Sequence, residues 1–431
     1  SAVEPETRST EDAVRPSGTF KRPSGTNVRP LIPVRPPDQV KPRLGGDEPS
    51  PVRPRPLNSR RTREDEEVPD VYRARVAPDR AKIASETGGD AKTESAVQSA
   101  LKWLAANQGR DGGWSASKHG AGREMHVAGQ NRDGAGSQAD SGVTGLALLA
   151  FMGAGQTHQQ GKYRETVRRG MEYLIRIQAA DGSLAGNAKL FARMYCHAMA
   201  AFALSECYAM TGDPAMERPV RSAVNYTLRA QHSQDGSWRY KPGDQGDTSV
   251  LGWQVMVLKS AEEAGLGFPK SSRDRIIRYL NKVSSGRGGL ACYRHGDEVS
   301  RTMSAEAFMC WSFLGVQRSS QANRETAEYL LQKPPGKGRA NYYYWYYATL
   351  AMHRIQGSDW DRWNRALTDT LVKTQRDSGS LEGSWDPTSV WGGYGGRVYS
   401  TATAALCLEV YYRFLPSQSK TASRRRSRAT N

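Results

Sequence analysis

Between Asp244 and Ser249 the chain reads DQGDTS, two carboxylates three residues apart with two hydroxyl side chains directly behind the second. A pair of this kind at the start of an apolar helix can move protons as acid and base, or it can accept the unsatisfied amides of the helix end. Asp247 stands where a helix cap stands, and Asp244, one turn earlier, is better placed to touch a ligand's hydroxyl or basic group. Cys292, His295 and Asp297 in CYRHGDE are metal-ligand types at close spacing, but no fourth donor can be identified, so the sequence calls for no metal and no other cofactor. His197 in MYCHAMA reads either as a general base or as a hydrogen-bonded core histidine. Six consecutive aromatics, Tyr342 to Tyr347, point to all sides of a helix, so some of them must face inward.

What positions these groups is a repeat. LKWLAANQGRDGGW from Leu101, MEYLIRIQAADGSL from Met171 and VNYTLRAQHSQDGSW from Val224 share one pattern: an amphipathic helix, a glutamine, then Asp-Gly, a small residue and usually tryptophan. Weaker copies begin at Ile276, Thr326 and Leu367. Each copy precedes a second helix that is apolar nearly all round, starting near Gly142, Ala192, Thr248, Met303, Tyr342 and Val398. First helices carry a single apolar stripe and must be wet on one side, whereas second helices must be enclosed. Six wet helices outside six buried ones, alternating along the chain, predict an all-α (α/α)6 toroid; an open solenoid would end in more polar pairs than TATAALCLEV allows. The turns themselves read as structural. Glycine permits left-handed backbone, Asp starts a turn, and Trp covers the seam.

In such a ring the inner helices run parallel, and their N-termini converge at one mouth with partial positive charge. The residues expected to line that mouth are Asp140, Tyr195, His197, Asp244, Asp247, Arg301, Glu306, Tyr343, Tyr344, Arg397 and Tyr399. Of these, Asp244, Asp247, His197, Tyr343 and Tyr399 have side chains suited to proton transfer and the others to holding a ligand. Ser115 to Ala139 is a long, glycine-rich insert that could fold over the mouth as a lid.

Composition divides the chain unevenly. Residues 1–91 hold 14 of the 22 prolines, which predicts a disordered, partly polyproline II tether; the toroid is expected over 92–415, and 416–431 reads as a disordered basic tail. Residues 92–415 carry 39 basic against 29 acidic side chains, so the folded part is itself basic. That favours an anionic ligand in the cavity, and the tail suits an acidic protein or another anionic surface. No motif points to a specific nucleic acid, and no run of eighteen apolar residues predicts a transmembrane segment. Five cysteines inside a chain of this composition read as buried thiols.

QGRDGGW, QHSQDGSW and QRDSGSLEGSW resemble the Gln-Trp repeats of the terpenoid cyclase and protein prenyltransferase superfamily, squalene-hopene cyclases in particular, and so the prenyltransferase and squalene oxidase repeat proteins. The resemblance implies one toroidal domain of those enzymes over residues 92–415. It implies less about activity. Squalene cyclases protonate their substrate from the central acid of Asp-x-Asp-Asp-Thr, and Gly246 occupies that position here; prenyltransferases place a zinc-binding cysteine where Ser249 stands. The leading expectation is therefore a cyclase-like toroid that binds, in its central cavity, a small molecule or oligosaccharide with an anionic or polar head, without squalene cyclisation. A lyase or hydrolase for acidic polysaccharide is the enzymatic alternative, and a non-catalytic interaction module is the third.

Overall fold

The computed structural model describes residues 56–64 and 67–413. Six outer helices, α3 (Ala91–Ala106), α5 (Arg164–Arg176), α7 (Pro214–Ala230), α9 (Lys270–Val283), α11 (Ser320–Leu331) and α13 (Gly357–Thr374), alternate with six inner ones. The inner helices are α4 (Asp140–Gly153), α6 (Leu190–Thr211), α8 (Thr248–Glu263), α10 (Arg301–Phe313), α12 (Tyr342–Ile355) and α14 (Gly392–Leu408). Each inner helix packs on the next and α14 returns to α4, so the ring closes as the alternation predicts. Nearly every residue of α4 and α8 is buried, while α5 and α9 bury one stripe.

The repeated glutamine has a concrete task. Gln108 Nε2 donates to Gly112 O in its own turn (2.7 Å) and to Thr166 O in the next outer helix (2.9 Å). Gln178 bonds Gly182 O and Pro219 O in the same way, and Gln231 bonds Gly236 O and Ser272 O. Gln375 joins Gly383 O (2.9 Å) to Ala96 O (2.8 Å), which ties the last outer helix to the first. The turn glycine is obligatory on two counts: Gly112 has φ +93°, and a Cβ there would stand 2.3 Å from Arg169 O on the neighbouring helix. The tryptophan closes the same seam from within, because Trp114, Trp238 and Trp385 donate their indole N–H to Leu104 O, Thr227 O and Leu371 O. The structural reading of these turns is thereby given atoms.

Two adjacent seams are built otherwise. In the fourth copy Ser284 stands at the glutamine position and Leu290 at the tryptophan, and Arg318 Nη2 supplies the bond to Gly288 O (2.6 Å). In the fifth, the Tyr344 hydroxyl donates to Leu330 O (2.9 Å) in place of an indole. Tyr344, expected at the mouth, is buried against Trp363 and belongs to this seam.

His197 also belongs to the repeat. The backbone N–H at the end of a turn donates to an inner-helix side chain: Trp114 N to Thr144, Ala291 N to Ser304, Trp385 N to Thr401, and Leu184 N to His197 Nδ1 (3.1 Å). His197 Nε2 meets Thr227 Oγ1 at 2.9 Å. With both nitrogens engaged and no exposure, it is a core histidine, which corrects its place among the proton-transfer candidates.

The domain boundary expected at residue 91 also moves. Helices α1 (Asp70–Val76) and α2 (Arg80–Glu86) pack with α15 (Val410–Arg413) across the ring's base. Arg75 Nη1 pairs with Glu206 Oε1 (2.7 Å), Arg413 Nη2 reaches both Glu206 oxygens (3.1 and 3.0 Å), and Tyr72 bonds Ser260. Composition averaged over ninety residues hid the short apolar stretch Val68, Tyr72 and Ala74 that is buried here. Of the tether expected over residues 1–91, residues 1–55, 65 and 66 lie outside the described residues, as does the tail expected over 416–431.

Two measurements check this account. Gln375→Ala, which removes partners from two carbonyls at the closing seam, is expected to lower the unfolding free energy by about 1–3 kcal/mol in chemical denaturation. Gln332→Ala, in a seam without the stitch, should stay within about 0.5 kcal/mol, and equal losses at both sites would contradict the assignment. Burial pushes the His197 imidazole down to about 3, from 6.5 in an unfolded chain. The folded form stays neutral while the unfolded form takes up a proton, so this residue erodes stability as pH falls from about 6.5 towards 3, by up to about 1.4 kcal/mol per pH unit. His197→Asn should flatten the fall of the melting temperature between pH 6.5 and 4, and an unchanged slope would count against the buried neutral histidine.

Candidate functional site

The N-terminal turns of the inner helices meet at one end of the ring, as their parallel course requires. There the chain places a polar cluster drawn from several helices and from the segments leading into them. Asp247 caps α8, accepting from Val250 N (2.9 Å) and the Ser249 hydroxyl (2.7 Å) on Oδ1. Its Oδ2 accepts from the Tyr293 hydroxyl (2.9 Å) and from the Arg239 guanidinium, which also meets Tyr293 Oη at 2.5 Å. Every one of these donors brings its own hydrogen, so Asp247 is placed as an acceptor and not as an acid. Tyr195 Oη lies 2.5 Å from Ser249 Oγ, and Tyr343 Oη lies 3.2 Å from Ser249 O and 2.8 Å from Glu306 Oε2. Two sets of hydrogen bonds, one from Arg239 to Tyr195 and one from Tyr343 to Glu306, thus meet at Ser249, the first on its hydroxyl and the second on its carbonyl.

The lid expected from the insert is present. Within it β1 (His126–Val127) pairs antiparallel with β2 (Gln130–Asn131), and Gly122 N and Glu124 N bond Tyr394 O and Gly393 O at the start of α14. Arg132, which follows this hairpin, donates from Nη1 to Tyr240 Oη (3.1 Å) and lies over the rings of Trp391 and Phe191 at 5.1 and 6.0 Å. Arg239 covers the Tyr240 ring at 4.1 Å. Tyr240 is thus held between two guanidiniums beneath the lid. Burial alone would raise its phenol, but Arg239, Arg132 and hydrogen bonds from Tyr293 and Arg132 together outweigh it and hold Tyr240 below the usual tyrosine range. Burial has the opposite outcome at Glu306: with only tyrosine hydroxyls to oppose it, the carboxyl is pushed well above its ordinary range.

Below the mouth aromatic side chains enter the ring. Trp253 of α8 stacks on Tyr346 of α12 across the interior, with ring centroids 5.8 Å apart and an interplanar angle of 10°, and meets Tyr347 edge-on at 5.8 Å. All three are buried. Aromatics of α8 and α12, on either side of α10, thus pack together inside the ring.

Of the residues expected to line the mouth, Tyr195, Asp247, Glu306 and Tyr343 come together; the others do not. Asp244 is exposed in the turn before α8. Asp140 accepts the Ala116 amide (2.7 Å), and burial raises its carboxyl. Arg301 turns outward to Tyr329 O and Gln332, and Arg397 pairs with Asp386 (2.6 Å). Tyr399 is buried beside its own helix at Gly395. Four residues of the cluster were missed: Arg132, Arg239, Tyr240 and Tyr293. The signal that could have found three of them is their position one to three residues beyond a repeat turn, where the chain leaves the seam for the mouth.

Gly246 bears on acid chemistry directly. A Cβ at this position would stand 2.0 Å from Trp238 O, so no acidic side chain can occupy the place of a proton donor. Cys292, His295 and Asp297 are bound separately, to Val283 O, Lys282 O and Arg294 N, and among the described residues no three metal-ligating side chains gather. Among the described residues no helix is long and apolar enough to cross a membrane.

With this geometry in hand the chain can be compared with known proteins. No curated protein matches its sequence. An unsaturated glucuronyl hydrolase from Streptococcus agalactiae shares the fold at a TM-score of 0.50 and 12% identity, over 83% of this chain and 98% of that one. A variant of the type II terpene cyclase MstE from Scytonema, in complex with merosterolic acid A, aligns at 0.47 and 12% identity over 75% and 96%. The unsaturated glucuronyl hydrolase of Bacillus sp. GL1, which acts in glycosaminoglycan degradation, aligns at 0.47 and 14% over 74% and 96%. Residues 81–195 match the squalene-hopene cyclase C-terminal domain family, and the fold in which they sit is an (α/α)6 toroid, shared with the Streptococcus agalactiae glucuronyl hydrolase.

Proposed function

We propose that the toroid binds a compact ligand with an anionic head at the mouth formed by the inner-helix N-termini. The observation that carries this reading is the pair of guanidiniums, Arg132 and Arg239, converging on Tyr240 beneath the lid. Arg239 is already balanced by Asp247, whereas Arg132 meets a phenol, the Val127 carbonyl and two aromatic faces, all uncharged, so a carboxylate entering between them gains a charge-assisted partner. Half-buried Tyr195, Tyr293 and Tyr343 offer hydroxyls and flat faces suited to a sugar ring. The aromatics packed between α8 and α12 below the mouth favour a sugar acid or the end of an acidic oligosaccharide over a long isoprenoid. Squalene cyclisation is not part of this reading, given the steric exclusion at Gly246.

One observation favours a catalytic version. Tyr240, held below the usual tyrosine range, is a fitting group to take or return a proton beside a neutralised carboxylate, as in a lyase or hydrolase for acidic polysaccharide.

Calorimetric titration with glucuronic acid, a glucuronate disaccharide, glucose and farnesyl diphosphate tests the ligand class. The acidic sugars should bind and glucose should not. Arg132→Ala should weaken binding about 10–100-fold, on the order of 1.4–2.8 kcal/mol, with the melting temperature preserved. Equal binding of glucose, or tighter binding of farnesyl diphosphate, would overturn the proposal.

A further inference from the structure

The fourth seam leaves a half-open cleft of about 240 Å³, counted out to its mouth, between the turn at Ser284–Leu290, α10 and α11. This is the place that the glutamine amide fills in the first, second, third and sixth repeats. Ser284 is too short to fill it and turns its hydroxyl back to Leu280 O. Three polar atoms are buried there without a hydrogen-bond partner: Trp311 Nε1, Arg318 Nε and Asn323 Oδ1. A buried polar atom left unsatisfied is costly, and here three of them line one cleft.

The chemistry of those atoms specifies an occupant. Trp311 Nε1 and Arg318 Nε are donors only, and the Asn323 amide offers a donor when turned over. Arg318 lies over the Trp311 ring at 4.7 Å and spends Nη2 on Gly288 O. Burial alone lowers its pKa, and no carboxylate opposes that effect. The nearest acid, Glu325, has both oxygens on the amides of Arg287 and Gly289. A guanidinium that is partly buried and unopposed, beside an indole N–H, calls for an anion. The floor of the cleft admits a group about the size of one water, so one carboxylate oxygen can enter it while the rest of the group and its stem stay in the wider part towards solvent.

We propose that this cleft is a binding site for a single carboxylate on a short aliphatic stem, held by Trp311, Arg318 and Asn323. The carboxylate can come from a free short-chain acid or from a glutamate side chain of a protein partner. In either case it accepts from Trp311 and Arg318, at a seam where the other repeats instead place a glutamine amide that donates.

Fluorine NMR of the full chain carrying 5-fluorotryptophan reads this out, with the Trp311 resonance assigned by Trp311→Phe. Sodium acetate at constant ionic strength should shift that resonance saturably and leave those of Trp238 and Trp385 in place. Arg318→Gln and, separately, Asn323→Ala should weaken the acetate effect at least 10-fold, so a folding defect in one variant leaves the other to decide. A blocked Gly-Glu-Gly peptide that binds tighter than acetate would identify a protein side chain as the source, and weaker binding a free acid. No acetate response at Trp311, the same response to chloride, or unchanged binding in a folded variant would overturn the proposal.

Discussion

A ring of helices is stable only if its last member meets its first. Gln375 meets that condition at the level of atoms, donating to its own turn and to Ala96, more than a quarter of a thousand residues earlier in the chain. The bond is ordinary in strength, and its neighbours in the first three seams are equally ordinary. Their joint effect is geometric. Each fixes where one outer helix begins relative to the end of the previous one, so the inner helices inherit a common direction, and their N-termini are gathered at one mouth. The polar cluster from Arg132 to Glu306 exists because of that alignment.

The two ends of the ring treat charge differently. At the base, Arg75 and Arg413 share Glu206, and Arg413 also meets Glu409, all without exposure, an arrangement whose members would be costly to leave unpaired. At the mouth, Arg132 is set against aromatic faces and a phenol, and Tyr195, Tyr293 and Tyr343 keep part of their surface in solvent. Positive charge is therefore neutralised where the chain must be sealed and left available where the helix dipoles already favour an anion.

Periodicity carried the fold well, since burial follows directly from which positions are apolar, and inner-helix starts expected near Thr248 and Tyr342 fall at those residues. It carried the site only in part. Tyr195, Glu306 and Tyr343 lie on helices whose facing could be judged, whereas Arg132, Arg239, Tyr240 and Tyr293 lie on irregular segments, where no period says which way a side chain turns. His197 misled for a related reason: its type suggests chemistry, but its register is that of Thr144 and Thr401, and register decides what it touches. Residues 68–76 were lost to averaging, a handful of apolar side chains diluted by proline on one side and charge on the other.

The base cluster bears on how the chain reaches this state. Arg75 Nη2 donates to Arg413 O, and both guanidiniums share Glu206, so contacts between the first and last described helices span nearly the whole ring in sequence. Loop closure over such a separation is entropically late, and during synthesis it cannot occur at all until Arg413 has left the ribosome. Until then Glu206 lacks one of its partners and the apolar face of α14 lacks α4. The nascent ring is thus an open arc, with its most apolar helices uncovered, for almost the whole of its translation.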